Sequence, residues 1–163
     1  MTYMLKEQDK VFQEKLQMGT SAEDIVYGYL IRENSSVQDL RQQKHGEHVG
    51  PRLKGTEGPI VLPDFVVYNK NPNKGAYAVD VKAKKAVYPA LGKRCFTVDD
   101  KFLQYKQASQ IMRLDFLMII FFYNNRMFFY KDSDCIGTTT FPDKSYGDGL
   151  IYCFEYDESR IRY

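Results

Sequence analysis

Apolar residues recur at helical spacing in some parts of the chain and in short runs in others. Residues 4–17 carry apolar positions among charges and predict a first helix that ends at Gly19. Beyond Gly19 the spacing becomes regular, with apolar side chains three or four residues apart, at Ala22, Ile25, Val26, Tyr29 and Leu30. This stretch predicts a second helix. A third is predicted over about 99–113, where two acids suit the positive end of the helix dipole.

The short apolar runs predict strands. Runs at 60–68 and 76–82 flank a loop rich in Asn, Pro and Gly, which is typical of a β-hairpin. Another hairpin is predicted from the very apolar segment 114–123, a turn at Asn124-Asn125, and the returning segment 126–130. Outer strands are predicted at 37–42 and 150–156, and 132–149 is predicted to be loop.

This order of elements (two helices, strands, a helix, strands) predicts an α/β protein with a mixed sheet and helices packed on it. A length of 163 residues without repeats or a linker indicates one domain over 1–163. With 44% hydrophobic and 27% charged residues, the composition is that of a globular protein. The longest apolar run, 116–123, is too short to cross a bilayer, and no signal peptide is evident, so a cytoplasmic location is expected. Three widely spaced cysteines indicate neither disulfides nor zinc.

The register of the first hairpin gives the chain its candidate chemistry. If the turn is centred on Pro72, Tyr68 pairs with Ala76 and Asp64 pairs with Asp80. Directly paired residues lie about 5 Å apart, and two like charges at that distance need a cation between them. Lys82 follows Asp80 by two positions, so strand alternation brings it to the same side. Two carboxylates and an amine around one cation are a design for phosphodiester cleavage.

These residues also carry a resemblance to a known family. Pro63-Asp64, followed by Asp80-Val81-Lys82 on the second arm of a hairpin, resembles the motif of the PD-(D/E)XK nucleases. The helix that begins near Gly19 and carries Glu23 is similar to the first helix of archaeal Holliday-junction resolvases. The resemblance covers about 19–130 and implies a restriction-endonuclease-like fold, a mixed β-sheet flanked by helices.

The family further implies a role for each matching residue. Asp64 and Asp80 would ligate Mg²⁺ or Mn²⁺, with the Val81 carbonyl and Glu23 as further ligands, since hard cations prefer oxygen. Glu23, Asp64, Asp80 and Lys82 would be the catalytic residues. Lys82 would orient or deprotonate the attacking water, or stabilise the developing charge.

Each residue also has a purely structural interpretation. Asp64 suits a turn before a strand, and Asp80 with Lys82 suits the solvent face of a half-buried strand. Thr20 and Glu23 have the spacing of a capping box at a helix start.

Basic residues follow the candidate site closely. The segment 82–106 has seven basic and two acidic residues, which favours contact with a phosphate backbone. The residues predicted to contact nucleic acid are Lys84, Lys85, Lys101, Gln104 and Lys106. Lysines on an edge strand also prevent sheet-to-sheet pairing, which is the structural alternative for Lys84 and Lys85. His45 and His48 lack a third ligand, so that loop is expected to touch substrate rather than hold zinc.

The sequence therefore predicts a small metal-dependent nuclease that acts on DNA rather than RNA, as an endonuclease, and not on membranes. One alternative is a nuclease-fold adaptor without catalysis that binds nucleic acid or protein. Another is an unrelated α/β interaction protein in which the Asp64–Asp80 register is accidental. A homodimer or a larger protein complex is the expected source of specificity, and the aromatic segment 116–130 is the predicted dimer face.

Overall fold

One long helix begins the chain. The computed structural model describes residues 2–33, 36–41, 52–55, 58–71, 73–140 and 149–162. Helix α1 spans Thr2–Glu33 without interruption. The predicted break at Gly19 is therefore wrong, because one glycine costs a helix only about 1 kcal/mol, and propagation on both sides outweighs that cost. The capping box at Thr20 and Glu23 is wrong for the same reason, since no helix begins there.

Twelve strands and a second helix follow in the described part of the chain. In chain order they are β1 (Ser36–Asp39), β2 (Arg52–Gly55), β3 (Gly58–Val61), β4 (Phe65–Tyr68), β5 (Ala76–Ala83), β6 (Tyr88–Ala90), β7 (Lys93–Val98), α2 (Lys101–Ile111), β8 (Leu117–Tyr123), β9 (Arg126–Lys131), β10 (Gly137–Thr140), β11 (Leu150–Glu155) and β12 (Ile161–Arg162). Short 3-10 turns lie at Asp132–Asp134 and Glu158–Arg160.

The central sheet has the strand order β1-β4-β5-β8-β9-β12. Its strands pair antiparallel except β5 and β8, which run parallel, so the sheet is mixed. On one face α1 packs Ala22, Val26 and Leu30 against the sheet. On the other face lie α2 and a second sheet, which contribute Phe96, Phe102 and Phe154 among others to the larger core. The predicted α/β class and mixed sheet with flanking helices are confirmed.

The first hairpin has the predicted register. Tyr68 pairs with Ala76, Val66 with Ala78, and Phe65 with Val79. The run 60–68 is not one strand, however. Its first part forms β3, which pairs with β2, and the chain bends at Asp64 before β4 begins. The bend takes Asp64 out of the ladder, so the predicted strand pairing of Asp64 with Asp80 is wrong. The Asp64 side chain instead makes its own contact with β5.

The second hairpin, β8–β9, is interior rather than exposed. Its turn residues Asn124 and Asn125 have φ of 50° and 58°, the left-handed conformation that tight hairpin turns require. Both strands have neighbours on each side, and most of their large side chains are buried. The expectation that 116–130 exposes its aromatics as a dimer face is therefore wrong, because Phe121, Phe128 and Tyr130 are buried in the core and the other rings of this segment are partly buried.

The second sheet, with the order β10-β11-β7-β6, was not predicted as a sheet. Only β11 matches a predicted strand. No strand was predicted over 88–98, yet this segment forms β6 and β7, and 137–140, predicted to be loop, forms β10. Phe96 of β7 stacks on Phe121 of β8 with ring centroids 4.6 Å apart, and so joins the two sheets.

His45 and His48 lie outside the described residues. Among the helices that the structure describes, none has the length and apolar character needed to cross a membrane.

Candidate active site

Asp64 is held directly before β4 by backbone and side-chain contacts. Its carbonyl accepts a hydrogen bond from the Leu40 N–H (2.9 Å), which fixes the bend against the residue that follows β1. Its Oδ2 accepts a hydrogen bond from the Val81 N–H (2.8 Å). The carboxylate therefore accepts the Val81 N–H in place of the backbone carbonyl that a longer β4 would have supplied. This contact directs Asp64 towards the middle of β5.

Asp80 lies in β5 and is almost completely buried, with 2% of its surface exposed. Its Oδ2 has no hydrogen-bond donor in acceptable geometry within the described part of the chain. The Lys82 Nζ lies 3.0 Å from this oxygen and forms an ion pair with it. Burying a carboxylate is costly unless it is paired and hydrogen-bonded. Asp80 therefore keeps capacity for another positive partner.

The two carboxylates affect each other electrostatically. Burial, then the charge of Asp80, then that of Glu23, raise the pKa of Asp64 well above its ordinary value. Burial also raises the pKa of Asp80, and the attraction of Lys82 offsets this only in part. Carboxyl groups with raised pKa values, crowded in a poorly hydrated place, favour a cation that removes their repulsion.

Lys82 lies between Asp80 and α2. Its Nζ donates a hydrogen bond to the Tyr105 hydroxyl (3.1 Å) and lies 4.8 Å from the centre of the Tyr105 ring. Although burial acts to lower it, the negative partner Asp80 holds the pKa of Lys82 well above its ordinary value. The amine is thus a fixed, charged group beside the two acids.

Glu23 lies near these groups but in a separate arrangement. Its Oε2 is 3.6 Å from Arg41 Nη1, and the same guanidinium binds Asp24 and Asp39 at 2.9 Å. Arg41 also lies over the ring of Phe65, 4.8 Å from its centre. Arg41 therefore ties α1 to the end of β1 and holds Glu23 on the side of the site.

The donor set suits a hard divalent cation. Val81 donates its N–H towards Asp64, and because a strand residue directs N–H and C=O to the same side, its carbonyl points there too. Within the described ranges no three His, Cys, Asp or Glu side chains are placed to share one ion, so Glu23 does not form a three-carboxylate cluster with Asp64 and Asp80. Two carboxylates, a carbonyl and retained waters are a coordination that Mg²⁺ accepts.

The residues predicted to bind nucleic acid have different surroundings. Lys85 and Lys101 are exposed, two residues after β5 and at the start of α2 respectively. Lys106 lies 5.6 Å from the centre of the Phe102 ring. Lys84 is half-buried, and burial lowers its pKa to about 8. Gln104 accepts a hydrogen bond from the Val61 N–H (3.1 Å), so it joins β3 to α2, a structural contact that the sequence did not predict.

Tyr105 and Arg41 were not singled out as site residues from the sequence. Tyr105 follows Phe102 by three positions on α2, so helical spacing marks both as buried, but nothing local shows that Tyr105 meets Lys82. Arg41 has no local signal, because its role depends on β1 pairing with β4.

Comparison with known proteins supports the fold. No family model and no curated protein matches the sequence. A solved structure of Hjc, a Holliday junction resolvase from the archaeal hyperthermophile Archaeoglobus fulgidus, aligns with 86% of this chain and 89% of its own chain. The TM-score is 0.52 and the sequence identity is 15%. The chain therefore has the fold of an archaeal resolvase, and the resemblance to the PD-(D/E)XK nucleases is confirmed at the level of the fold.

Proposed function

We propose that this protein is a nuclease that hydrolyses phosphodiester bonds with the help of Mg²⁺ or Mn²⁺. The observation that carries the proposal is the convergence of Asp64, Asp80 and Lys82 where the β4–β5 hairpin meets α2. Two carboxylates crowded beside a charged amine destabilise a fold, but they suit the binding of a cation and a phosphate. The resolvase-like fold supports the same activity.

Asp64 and Asp80 would hold the ion through their carboxylates, and the Val81 carbonyl would add a third oxygen. The ion, when bound, lowers the pKa of a water and offsets negative charge in the transition state. Lys82 would then donate a hydrogen bond to the attacking water or to a phosphate oxygen, positioned by Tyr105. Glu23, held by Arg41, would orient water at the edge of the site.

Nucleic acid would approach along the basic residues near the site. Lys84 and Lys85 directly follow β5, and Lys101 and Lys106 lie on α2. These are the two elements that carry Asp80 and Tyr105. Cations on both elements would hold the phosphate backbone in register with the acids. DNA is favoured over RNA, with internal cleavage, and a homodimer or a protein partner would supply specificity. Because the structural neighbour is a Holliday junction resolvase, branched DNA is the first substrate to test.

The test is a cleavage assay on labelled single-stranded, duplex and four-way-junction DNA and on RNA, with Mg²⁺, Mn²⁺ or EDTA. We expect cutting that requires the metal and that falls by at least about 100-fold in Asp80→Asn, which keeps the size of the side chain. Asp115→Asn, which changes an exposed acid at the opposite end of the sheet, is the control. Binding without cutting in either metal would instead support the adaptor without catalysis.

A separate measurement keeps metal binding distinct from activity. Titration with Mn²⁺ by calorimetry should give a signal in the unmodified protein that Asp80→Asn weakens strongly. Equal binding by both proteins would show that Asp80 holds no ion.

A further inference from the structure

A second concave site lies at the other end of the central sheet, on the face covered by α1. It is a pocket of about 470 Å³ between the end of α1, the first residues of β5 and β8, and the last residues of β9. Pockets that bind small molecules have volumes of roughly 300–1,000 Å³. The volume of this pocket lies within that range.

This pocket is distinct from the candidate active site. Tyr77 lines it and packs with the core under α1, whereas Asp80 and Lys82 face α2. Successive strand residues point to opposite faces, and three residues of a strand span about 10 Å. The sheet itself thus separates the two sites.

Aromatic side chains form the inner part of the pocket. Tyr77 stacks on Phe116 with ring centroids 4.8 Å apart, and Tyr29 packs on Phe129 at 5.6 Å. Burial, and after it the nearby Tyr29, raise the pKa of Tyr77, so the two phenols lie close to each other. Neither hydroxyl makes a hydrogen bond to any part of the chain that the structure describes. Two tyrosine rings, each held by a neighbouring aromatic ring, offer stacking surfaces. Their hydroxyls, which make no hydrogen bond within the described part of the chain, offer polar contacts.

Cations surround the aromatic part. Within the part of the chain that the structure describes, Arg162 Nη1 donates to the carbonyls of Ser159 and Ile161 alone. Lys131 Nζ lies 4.5 Å from the centre of the Phe116 ring. Neither cation has a carboxylate within 4.0 Å among the described residues. The acid Asp134 is neutralised by Arg160 at 2.8 Å, which leaves Glu33 as the exposed acid at the rim. The balance favours a ligand that carries negative charge.

We propose that this pocket binds a nucleotide, with the base against Tyr29 and Tyr77 and the phosphate at Arg162 and Lys131. A base has a flat π-face for stacking and polar edges for the phenol hydroxyls, and aromatic platforms bind bases with little sequence preference. The nucleotide is either a free mononucleotide or an unpaired nucleotide at the end of a nucleic-acid strand. Neither source requires the cleavage reaction, so the proposal goes beyond the proposed function.

The test uses 2-aminopurine, whose fluorescence is quenched when the base stacks. One probe is its free deoxynucleoside 5′-monophosphate, and the other is a DNA hairpin with a single unpaired 2-aminopurine nucleotide at its end. Both are titrated in EDTA, where metal-dependent cutting does not occur. We expect saturable quenching with at least one probe, and the pair of titrations tells the two sources apart.

Four variants make the result decisive. Tyr77→Leu and the exposed change Arg162→Gln should each weaken binding by roughly tenfold or more. Tyr68→Leu, an exposed tyrosine outside the pocket, should bind like the unmodified protein. Asp80→Asn should also bind normally, so a failed nuclease assay leaves this proposal intact. Absence of quenching with both probes would overturn the proposal. So would Tyr77→Leu and Arg162→Gln variants that bind the probes as tightly as the unmodified protein.

Discussion

The hydroxyl of Tyr105 fixes the position of the Lys82 amine. Tyr105→Phe removes the 3.1 Å hydrogen bond and keeps the ring beneath the ammonium. We expect the free energy of unfolding to fall by about 1–2 kcal/mol, because a hydrogen bond to a charged group is lost. On the proposed function, the cleavage rate at saturating metal should fall roughly tenfold with DNA affinity unchanged, since misplacement of a catalytic group affects the rate. Stopped-time cleavage assays and urea denaturation measure the two effects.

The control for this change is Tyr68→Phe, which removes an exposed hydroxyl that bonds Gln38 at 2.9 Å. It should leave the cleavage rate unchanged and cost little stability. If Tyr105→Phe cleaves as fast as the unmodified protein, the Tyr105 hydroxyl does not position Lys82 for catalysis.

Lys84 gives a pH-dependent prediction. Burial first, and then the charge of Lys82, lower its folded-state pKa to about 8, while the unfolded chain keeps a value near 10.4. The unfolded state therefore binds more protons between these values, and stability rises with pH through that window. Lys84→Met should raise the free energy of unfolding at pH 7 by up to about 3 kcal/mol, and by less than half of that at pH 9.5. The exposed Lys85→Met is the control, and a gain independent of pH would contradict the assignment.

The sequence identified the residues whose contacts are local and missed those whose contacts are not. Asp64, Asp80 and Lys82 belong to one hairpin, and the turn residues fix its register. Arg41 and Tyr105 reach the site only through the β1–β4 pairing and the packing of α2, which are long-range. The roles of Glu23, Asp64, Asp80 and Lys82 in catalysis stay predictions.

The continuity of α1 through Gly19 can be tested by substitution of that glycine. A Cβ built at Gly19 meets no atom within 4 Å, so alanine fits there without a clash. Gly19→Ala should raise the free energy of unfolding by about 1 kcal/mol, because alanine is the better residue inside a helix. Urea denaturation followed by circular dichroism measures the change.

Gly92→Ala is the matched control. It also has free space around a built Cβ, but its φ is +74°, which strains any residue with a side chain. It should lose stability, although the added methyl group is the same. A loss of stability in Gly19→Ala as well would indicate that the helix is interrupted there.

Two of the strands that the sequence missed are very short. β6 has three residues and β10 has four, and neither length allows a clear alternation of apolar and polar positions. The helix stop at Gly19 was wrong for a related reason. It was inferred from a single residue, although Ala22, Val26 and Leu30, after it in the chain, pack against the sheet and hold the helix together. Long apolar segments such as β8 were predicted correctly because both of their faces are buried.

At the scale of the whole molecule, the central sheet divides the chemistry between its two faces. The candidate active site lies on the face towards α2, and the aromatic pocket lies on the face towards α1. A variant in one site should therefore leave the other unchanged, because residues far apart with no shared partners act additively. This independence holds only if both sheets fold as one unit.

Phe96→Ala tests whether the two sheets fold as one unit. The Phe96 ring lies 4.6–6.2 Å from the rings of Phe121, Phe128 and Tyr130, and it is fully buried between the two sheets. Phe96→Ala should lower the free energy of unfolding by about 3–5 kcal/mol and keep a single transition, because the cavity affects both sheets at once. Tyrosine fluorescence and far-UV circular dichroism in urea should give the same midpoint. Leu150→Ala, an exposed change in β11, should cost far less. Two separate transitions would show that the second sheet is its own folding unit and that the prediction of one domain is wrong.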